Sequence, residues 1–308
     1  MAKVSVIVLA YQQGPYIAQC LESVLAQRTQ HELEILVGED GSTDDTGAHC
    51  DAFAARDPRI RLFHRGRTDK WRIDGHMTGR RNCLDLLERA TGDYATLLDG
   101  DDGWLDSGRI EAQVNMLERD PGLAGSYHHT RIMDQNGVLR DRWRTGLPQR
   151  MELEQCIADR APFHTSSFVW RHTPRMRALL TCNDAWLAGS YDMYLFACAA
   201  SQGPLALYDA EASFYRMHGE GISSSGLFAR SNILRLRMLQ WLRFDRATGG
   251  RYRSHIHALC DRHLQQVHPP FPAVDVRRWI AAMRAEPRYF LRPWRSRRLL
   301  GLLLRGPR

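Results

Sequence analysis

YATLLDGDDGW, residues 94–104, runs from an apolar, strand-like segment straight into three carboxylates within four positions, Asp99, Asp101 and Asp102. Like charges this close raise one another's pKa, so the turn calls for a positive partner. Working outward, the same unit of apolar run, turn and amphipathic segment repeats on both sides. KVSVIVLAY (3–11) is β-branched and apolar, as a buried parallel strand should be, and YIAQCLESVLAQ (16–27) places Ile17, Leu21, Val24 and Leu25 at helical spacing. LEILVGED (33–40) predicts a second strand ending in acid. STDDTGAHCDAFAAR (42–56) predicts a helix capped by Ser42 or Thr43, and RIRLFH (59–64) a third strand. GHMTGRRNCLDLLERATG (75–92) predicts a helix stopped by glycine, and SGRIEAQVNMLERDP (107–121) another ending at Pro121. This β-α alternation predicts an α/β fold with a mostly parallel sheet. Ligands of such sheets bind beyond the carboxyl ends of the strands, where Glu39-Asp40 and Asp99–Asp102 both fall.

The 308 residues suffice for one large domain or a domain with an appendage, and 44% hydrophobic with 25% charged residues excludes a disordered chain. No apolar run approaches the roughly 20 residues that span a bilayer, and MAKVSVIVLA reads as a first strand rather than a signal peptide. The seven cysteines are scattered, with no CxxC pair; this fits a reducing cytoplasm and argues against a disulfide framework or zinc knuckle. From Arg230 onward there are 18 arginines, no lysine and 4 acids, a net +14, whereas the first 229 residues carry 24 basic and 31 acidic side chains, a net −7. A basic tail suits phosphates: nucleic acid, anionic lipid or a phosphorylated substrate.

Beyond Leu123 the pattern is mixed. GSYHHTRIM, SSFVWR and ASFYRMH are strand candidates; Glu152 to Asp159, Pro174 to Cys182 and Tyr191 to Ser201 are helix candidates. From Leu227 the chain reads as helical and arginine-rich, divided by Pro269, Pro270 and Pro272. The expected organisation is residues 1–226 as a catalytic unit and 227–308 as a helical basic extension.

Two common glycine-rich phosphate cradles, GxGxxG after the first strand and GxxxxGK[ST], are missing. An α/β protein that handles a nucleotide without them needs another grip on the diphosphate. A hard divalent cation held by one or two carboxylates provides one, the phosphates completing its oxygen shell. Asp99-Gly100-Asp101-Asp102 is such a site, with Gly100 allowing a tight turn.

Seven ordered stretches carry a resemblance: VSVIVLAYQQGPYIAQCLESVLAQ, EILVGEDGSTDDT, GRRNCLDLLERATGD, GDYATLLDGDDGWLDSGRIEAQVNML, HTSSFVWR, GSYDMYLFACAASQG and ASFYRMHGEGIS. Across roughly residues 3 to 225 the chain resembles the family 2 glycosyltransferases of the GT-A fold, inverting enzymes with nucleotide-sugar donors, in the style of bacterial members that build cell-surface polysaccharide. The resemblance implies that Asp40 hydrogen-bonds the donor base, with backbone near Ala10 and Tyr11 lining the same pocket. It implies that Asp99 faces the ribose or sugar, and that Asp101 ligates Mg²⁺ or Mn²⁺ with His218 in reach of the metal or diphosphate. Asp102 either supports that site or begins the next turn, and Trp104 is a lid or packing residue at the sugar or acceptor site. Ser166 and Ser167, with Thr165, line the sugar or acceptor site. Asp192, in GSYDMYL, is the general base that the transfer needs. Arg81 and Arg216 are either phosphate partners or surface arginines. The chain departs from the family in reading Leu9-Ala10-Tyr11-Gln12 after the first strand and Glu39 before Asp40.

The implied partners are a nucleotide-sugar donor, UDP- or dTDP-linked before GDP-linked, and a glycan or polyprenyl-linked saccharide acceptor. The closing RPWRSRRLLGLLLRGPR interleaves Trp294, Leu299, Leu300, Leu302, Leu303 and Leu304 with Arg292, Arg295, Arg297, Arg298 and Arg305. It reads either as a segment lying on an anionic membrane or as a terminal helix packed on the body. The first placement puts the protein in the cytoplasm, peripheral on the inner face of the membrane. A sugar nucleotidyltransferase is a second reading, though YQQGPY lacks the basic glycine-rich loop it needs. A nucleic-acid-binding protein is a third, with no specific recognition module to support it.

Overall fold

Side-chain alternation decides how the first strand packs. Val4, Val6 and Val8 of β1 (Lys3–Ala10) bury on one face of a sheet and Ile7 on the other, all at 0% exposure. The computed structural model describes residues 1–73, 76–182, 189–218, 230–268 and 273–303. After β1 come α1 (Ile17–Leu25), β2 (Glu32–Glu39), α2 (Thr46–Arg56), β3 (Ile60–His64), β4 (Trp71–Ile73), β5 (His76–Thr78), α3 (Arg80–Arg89), β6 (Tyr94–Asp99), β7 (Gly103–Trp104) and α4 (Arg109–Arg119). The chain continues through β8 (Gly125–Met133), β9 (Leu139–Arg142), β10 (Arg150–Met151), α5 (Leu153–Cys156), β11 (Val169–Arg171), α6 (Pro174–Leu180), α7 (Tyr191–Ala200) and β12 (Leu205–Arg216). Five helices close it: α8 (Arg230–Ala247), α9 (Arg253–Gln265), α10 (Ala273–Ala285), α11 (Pro287–Phe290) and α12 (Pro293–Leu303).

The main sheet runs β10-β12-β8-β11-β6-β1-β2-β3, with β7 on β12 and β9 on β8. β1, β2, β3 and β6 are parallel. β11 is antiparallel to both β6 and β8, and β12 is parallel to β8. β6, β8 and β12 therefore end on the same rim as β1 and β2, and β11 begins there. Helices α1, α2 and α4 cover one face, with Leu21, Val24, Phe53, Ile110 and Val114 against Val6 and Val8. Helices α3 and α5–α7 cover the other. Such aliphatic burial stabilises by roughly 1.5–3 kcal/mol per side chain.

The expected α/β class with a mostly parallel sheet is the one observed. Several boundaries shift. The helix expected over Gly75 to Gly92 begins at Arg80, because Trp71↔Thr78 and Arg72↔Met77 pair as a small hairpin ahead of it. Neither Ser42 nor Thr43 caps α2, whose N-cap is Asp45. Their groups face the β1–α1 loop instead: Gln12 N donates to Ser42 Oγ (3.0 Å) and Thr43 N to Gln12 Oε1 (2.6 Å).

The C-terminal helices share one hydrophobic cluster with the sheet: Trp241, Phe244, Trp279, Phe290 and Leu299 join Ile7, Leu36 and Trp170. All four tail acids meet arginines: Asp245–Arg253, Asp261–Arg295, Asp275–Arg278 and Glu286–Arg246. Arg298 donates to the carbonyls of Leu264 and Gln265, the last turn of α9, where a cation complements the helix dipole. So α12 packs on the body through Arg295, Leu299 and Leu302, while Leu291 (67%), Trp294 (43%) and Leu300 (47%) stay exposed. The expected boundary at 226/227, the helix start at Leu227, the prolines 269, 270 and 272, and Leu304 and Arg305 lie outside the described residues. Among the described residues no helix is long and apolar enough to cross a membrane.

Candidate active site

Register brings the acidic turns together. Ala10 pairs with Glu39 and Leu9 with Asp99, so β1, flanked by β2 and β6, ends between two acidic strand ends. Ala10 is buried, and Tyr11 begins the following loop beside Asp40. The pocket's fourth member carries no sequence signal. Lys70 Nζ lies 3.1 Å from Asp40 Oδ2, both side chains under 5% exposed, and 3.0 Å from the centroid of the Tyr11 ring. Apart from that ion pair, Asp40 Oδ2 has no hydrogen-bond partner among the described residues. Burial pushes the Asp40 carboxyl above its usual range against the pull of Lys70 and Arg65. Neighbouring Glu39 goes the other way: burial raises it, but bonds from Ser42 and His64 outweigh that.

Gly100 is needed for space rather than for a special φ. A Cβ there would sit 2.4 Å from Gln13 Oε1 and 2.8 Å from Ile17 Cδ1, and its φ is not among the positive ones. The turn around it is held by Arg216, at the end of β12. Arg216 N donates to Asp102 Oδ1 (3.0 Å), Nε to the Asp101 carbonyl (3.0 Å), and the guanidinium reaches Gln19 Oε1 and lies over Tyr16. Arg216 is therefore neither a surface arginine nor aimed at solvent; it is 6% exposed and fixes the acidic turn. Arg81, the other arginine singled out, is exposed and paired with Asp69.

Asp101 Oδ2 meets His218 Nε2 at 2.9 Å across 117 residues of sequence. Burial first, then Asp101 and Asp192, push the Asp99 carboxyl well above the ordinary range. Asp102 rises likewise through burial, Asp101 and Asp99, although Arg216 opposes it. This crowding is what a cation would relieve. One carboxylate with one imidazole fits a divalent ion whose remaining ligands come from a diphosphate. Among the described residues no three His, Cys, Asp or Glu side chains stand ready to hold a metal alone.

Trp104 lies beneath this turn, 6% exposed, its indole N–H donating to Ser166 O (3.0 Å) and the Arg109 guanidinium 4.2 Å over its ring. It is the packing residue of the two alternatives, not a lid. Ser166 and Ser167 are also buried, bonded to Ser213 Oγ (3.0 Å) and His164 O (2.6 Å). They reach the rim's floor only because β11 runs antiparallel. Thr165, at the same place, lies beside the Asp192 carboxylate and draws its pKa down.

Asp192 is the second residue of α7, and the other nine residues of that helix are buried. A helix apolar all round belongs to the core, so its one exposed acid stands out. The protein wall around it disfavours the charged form and raises its pKa, while Arg80 and Thr165 pull it down; the side chain still faces water. A cavity of about 540 Å³ lies elsewhere, at the amino-terminal edge of β1 and β2, lined by Lys3, Glu32, Glu34, Arg59 and Arg61. Its charges largely neutralise one another, and none of the rim residues enters it.

Residues 5–174 match the family model described as "Glycosyl transferase family 2". An uncharacterized Mycobacterium tuberculosis protein is 30% identical over 219 residues, 71% of this chain; the chain spans about 60% of that relative's length. Staphylococcus aureus TarS (residues 1–349) in complex with UDP-GlcNAc shares the fold at a TM-score of 0.61 and 17% identity, over 85% of this chain and 71% of that one. The mannosyltransferase PcManGT from Pyrobaculum calidifontis, in complex with GDP-Man and Mn²⁺, does so at 0.55 and 16%, over 99% and 86%. With a matching domain over more than half its length and a GT-A-like sheet, the chain belongs to glycosyl transferase family 2.

Proposed function

We propose that this protein acts as a glycosyltransferase, moving a sugar from a UDP- or dTDP-sugar onto a hydroxyl of a glycan or polyprenyl-linked saccharide, with inversion, in cell-surface polysaccharide synthesis. The observation that carries the reading is the convergence of Asp40, Asp99–Asp102 and Asp192 on one rim of the sheet. An ionised carboxylate only accepts hydrogen bonds and an ammonium only donates them. Asp40 and Lys70, 3.1 Å apart, therefore suit the imide edge of uracil or thymine, where an N–H stands beside a carbonyl. The Tyr11 ring flanks that pocket.

Asp101 and His218 would hold Mg²⁺ or Mn²⁺, and the bound ion supplies the positive charge that neutralises a departing diphosphate. Asp99 faces the ribose or sugar. Asp192 takes the proton of the acceptor hydroxyl as that oxygen bonds to the anomeric carbon and the nucleoside diphosphate leaves from the opposite face. A base with a raised pKa holds that proton more readily. Arg216 keeps the Asp101 backbone in place throughout. The bound UDP-GlcNAc of TarS and the GDP-Man and Mn²⁺ of the mannosyltransferase support a nucleotide-sugar donor and a metal. Exposed Leu291, Trp294 and Leu300, beside Arg292 and Arg297, would rest on an anionic membrane from the inner side, each arginine adding roughly 1 kcal/mol. Unchanged liposome binding by Trp294→Ser/Leu300→Ser would remove that part.

The decisive experiment is thermal shift with UDP-, dTDP- and GDP-sugars, with and without Mn²⁺, on the wild type and Asp101→Ala. A metal-dependent rise for one nucleotide class, lost in the variant, is expected. No rise with any donor, alongside a clear shift with RNA, overturns the reading.

A further inference from the structure

Three rings meet on the far side of the acidic turn from the base pocket. His164 stands 4.7 Å from Tyr215 and 5.4 Å from Trp143, centroid to centroid. They come from three separate pieces of chain. Tyr215 is the penultimate residue of β12, and Trp143 follows β9, its amide donating to Thr130 O of β8 (2.8 Å). His164 caps the turn that leads into β11, its Nδ1 accepting from Ser166 N at 3.3 Å. Because β8 and β12 run parallel to β6 and β11 runs against it, all three rings gather at the rim where Asp99 ends β6. Nothing in the donor reading uses them.

Their neighbours define what the cluster serves. On one side His164 Nδ1 is 3.9 Å from Asp102 Oδ2. On the other, the next residue, Thr165, lies beside Asp192. The rings thus bridge from the carboxylate turn to the base, where an attacking hydroxyl must stand. Tyr11 follows β1, two strands in the sheet order from β11, three from β8 and four from β12, roughly 10–19 Å at about 4.8 Å per strand, so the cluster stands apart from the nucleotide base. Trp143 and Tyr215 are only half-buried and keep surface to offer. An acceptor Nδ1 leaves the His164 ring proton on Nε2, a donor for a hydroxyl, and the Arg144 guanidinium lies 5.5 Å from the Trp143 ring with further donors. Aromatic faces edged by a few hydrogen-bond donors suit a ring that is apolar on one face and polar at its rim.

We propose that Trp143, His164 and Tyr215 form the acceptor subsite, taking an uncharged pyranose by its C–H face and presenting its hydroxyl to Asp192. This rests on the glycosyltransfer reading above, and the test separates the two. Saturation-transfer NMR with methyl glucoside, galactoside, rhamnoside and N-acetylglucosaminide, in the presence of UDP and Mn²⁺, reads the subsite; thermal shift with the nucleotide sugars reads the donor site. Binding of at least one pyranoside is expected, weakened about tenfold in Trp143→Ala and in Tyr215→Leu, and retained within about threefold in Trp143→Tyr. The nucleotide shift is expected to stay unchanged in all three. Equal pyranoside binding by folded Trp143→Ala and Tyr215→Leu overturns the subsite, as does no pyranoside binding where the nucleotide shift persists. Loss of the nucleotide shift in folded Trp143→Ala overturns it too, by assigning the rings to the donor. If Trp143→Ala does not fold, Tyr215→Leu decides by the same criteria.

Discussion

Lys70→Met tests the Asp40 pocket without touching the acidic turn. In the wild type the two charges are 3.1 Å apart, with side chains 4% and 3% exposed. At an effective dielectric of about 20 their attraction is roughly 5 kcal/mol. Much of that offsets the desolvation of both groups, but removing one partner leaves the other buried and unpaired, which costs about 3–5 kcal/mol. Arg65 still pulls on Asp40 from farther away, so the expected loss is near the lower end, about 3 kcal/mol at pH 7.5. For a chain of this size that is a drop of about 6 °C in Tm. The pH dependence is the sharper signature. Burial already raises the Asp40 pKa, and losing Lys70 raises it further. Below the unfolded value of about 3.9 the carboxyl is neutral in both states and the deficit vanishes. As pH rises through the folded value, only the unfolded chain ionises freely, and stability is lost. Urea unfolding at pH 7.5 and pH 5 should therefore show a deficit that shrinks with acid, and Lys70→Met/Asp40→Asn should recover more than half of it. A variant within about 0.5 kcal/mol of wild type at pH 7.5, or a deficit indifferent to pH, refutes the pairing.

Asp192→Asn should lower kcat by about 10²–10⁴-fold while nucleotide-sugar thermal shifts stay intact; the same carboxylate, with its raised pKa, should make wild-type kcat rise with pH through a range above that of an ordinary aspartate. Arg216→Lys should lose about 10²-fold in kcat, because a point charge cannot hold Asp101 O and Gln19 together and a misplacement of about 1 Å is costly; circular dichroism should stay native-like. Gly100→Ala should destabilise by about 1–3 kcal/mol in urea titrations, since its Cβ would overlap Gln13 and Ile17.

Much of the architecture was legible because it is written locally. Val4 to Leu9, Leu33 to Val37 and Tyr94 to Leu98 are apolar and β-branched, the segments between them have helical spacing, and acid follows two of the strands. The hairpin at Trp71–Thr78 was not legible, because its strands are three residues each and carry no period to read. The cap of α2 is not legible for a related reason: Ser42 and Thr43 are good caps by type, but Gln12, 30 residues away, engages both, its N–H donating to Ser42 Oγ and its Oε1 accepting from Thr43.

The sequence by itself determined the class of sheet, the rim on which the acidic turns fall, and, through ordered motifs, the family. It could do so because strand period, turn chemistry and acid placement are properties of neighbouring residues. Only the tertiary structure decided which groups meet. Lys70 sits in the unremarkable stretch RTDKW and reaches Asp40 only when the loop after β3 folds over the end of β2. His218 finds Asp101, and Arg216 finds Asp102, because β12 runs parallel to β8 and so ends at the rim where β6 ends. Thr165 meets Asp192 because one strand, β11, runs against its neighbours. Trp104, for which the sequence leaves lid and packing both open, lies under the acidic turn because Arg109 and Ser166 O supply partners there. Contacts between residues about a hundred positions apart depend on strand order and direction, and neither is encoded in any window of the chain short enough to read by eye.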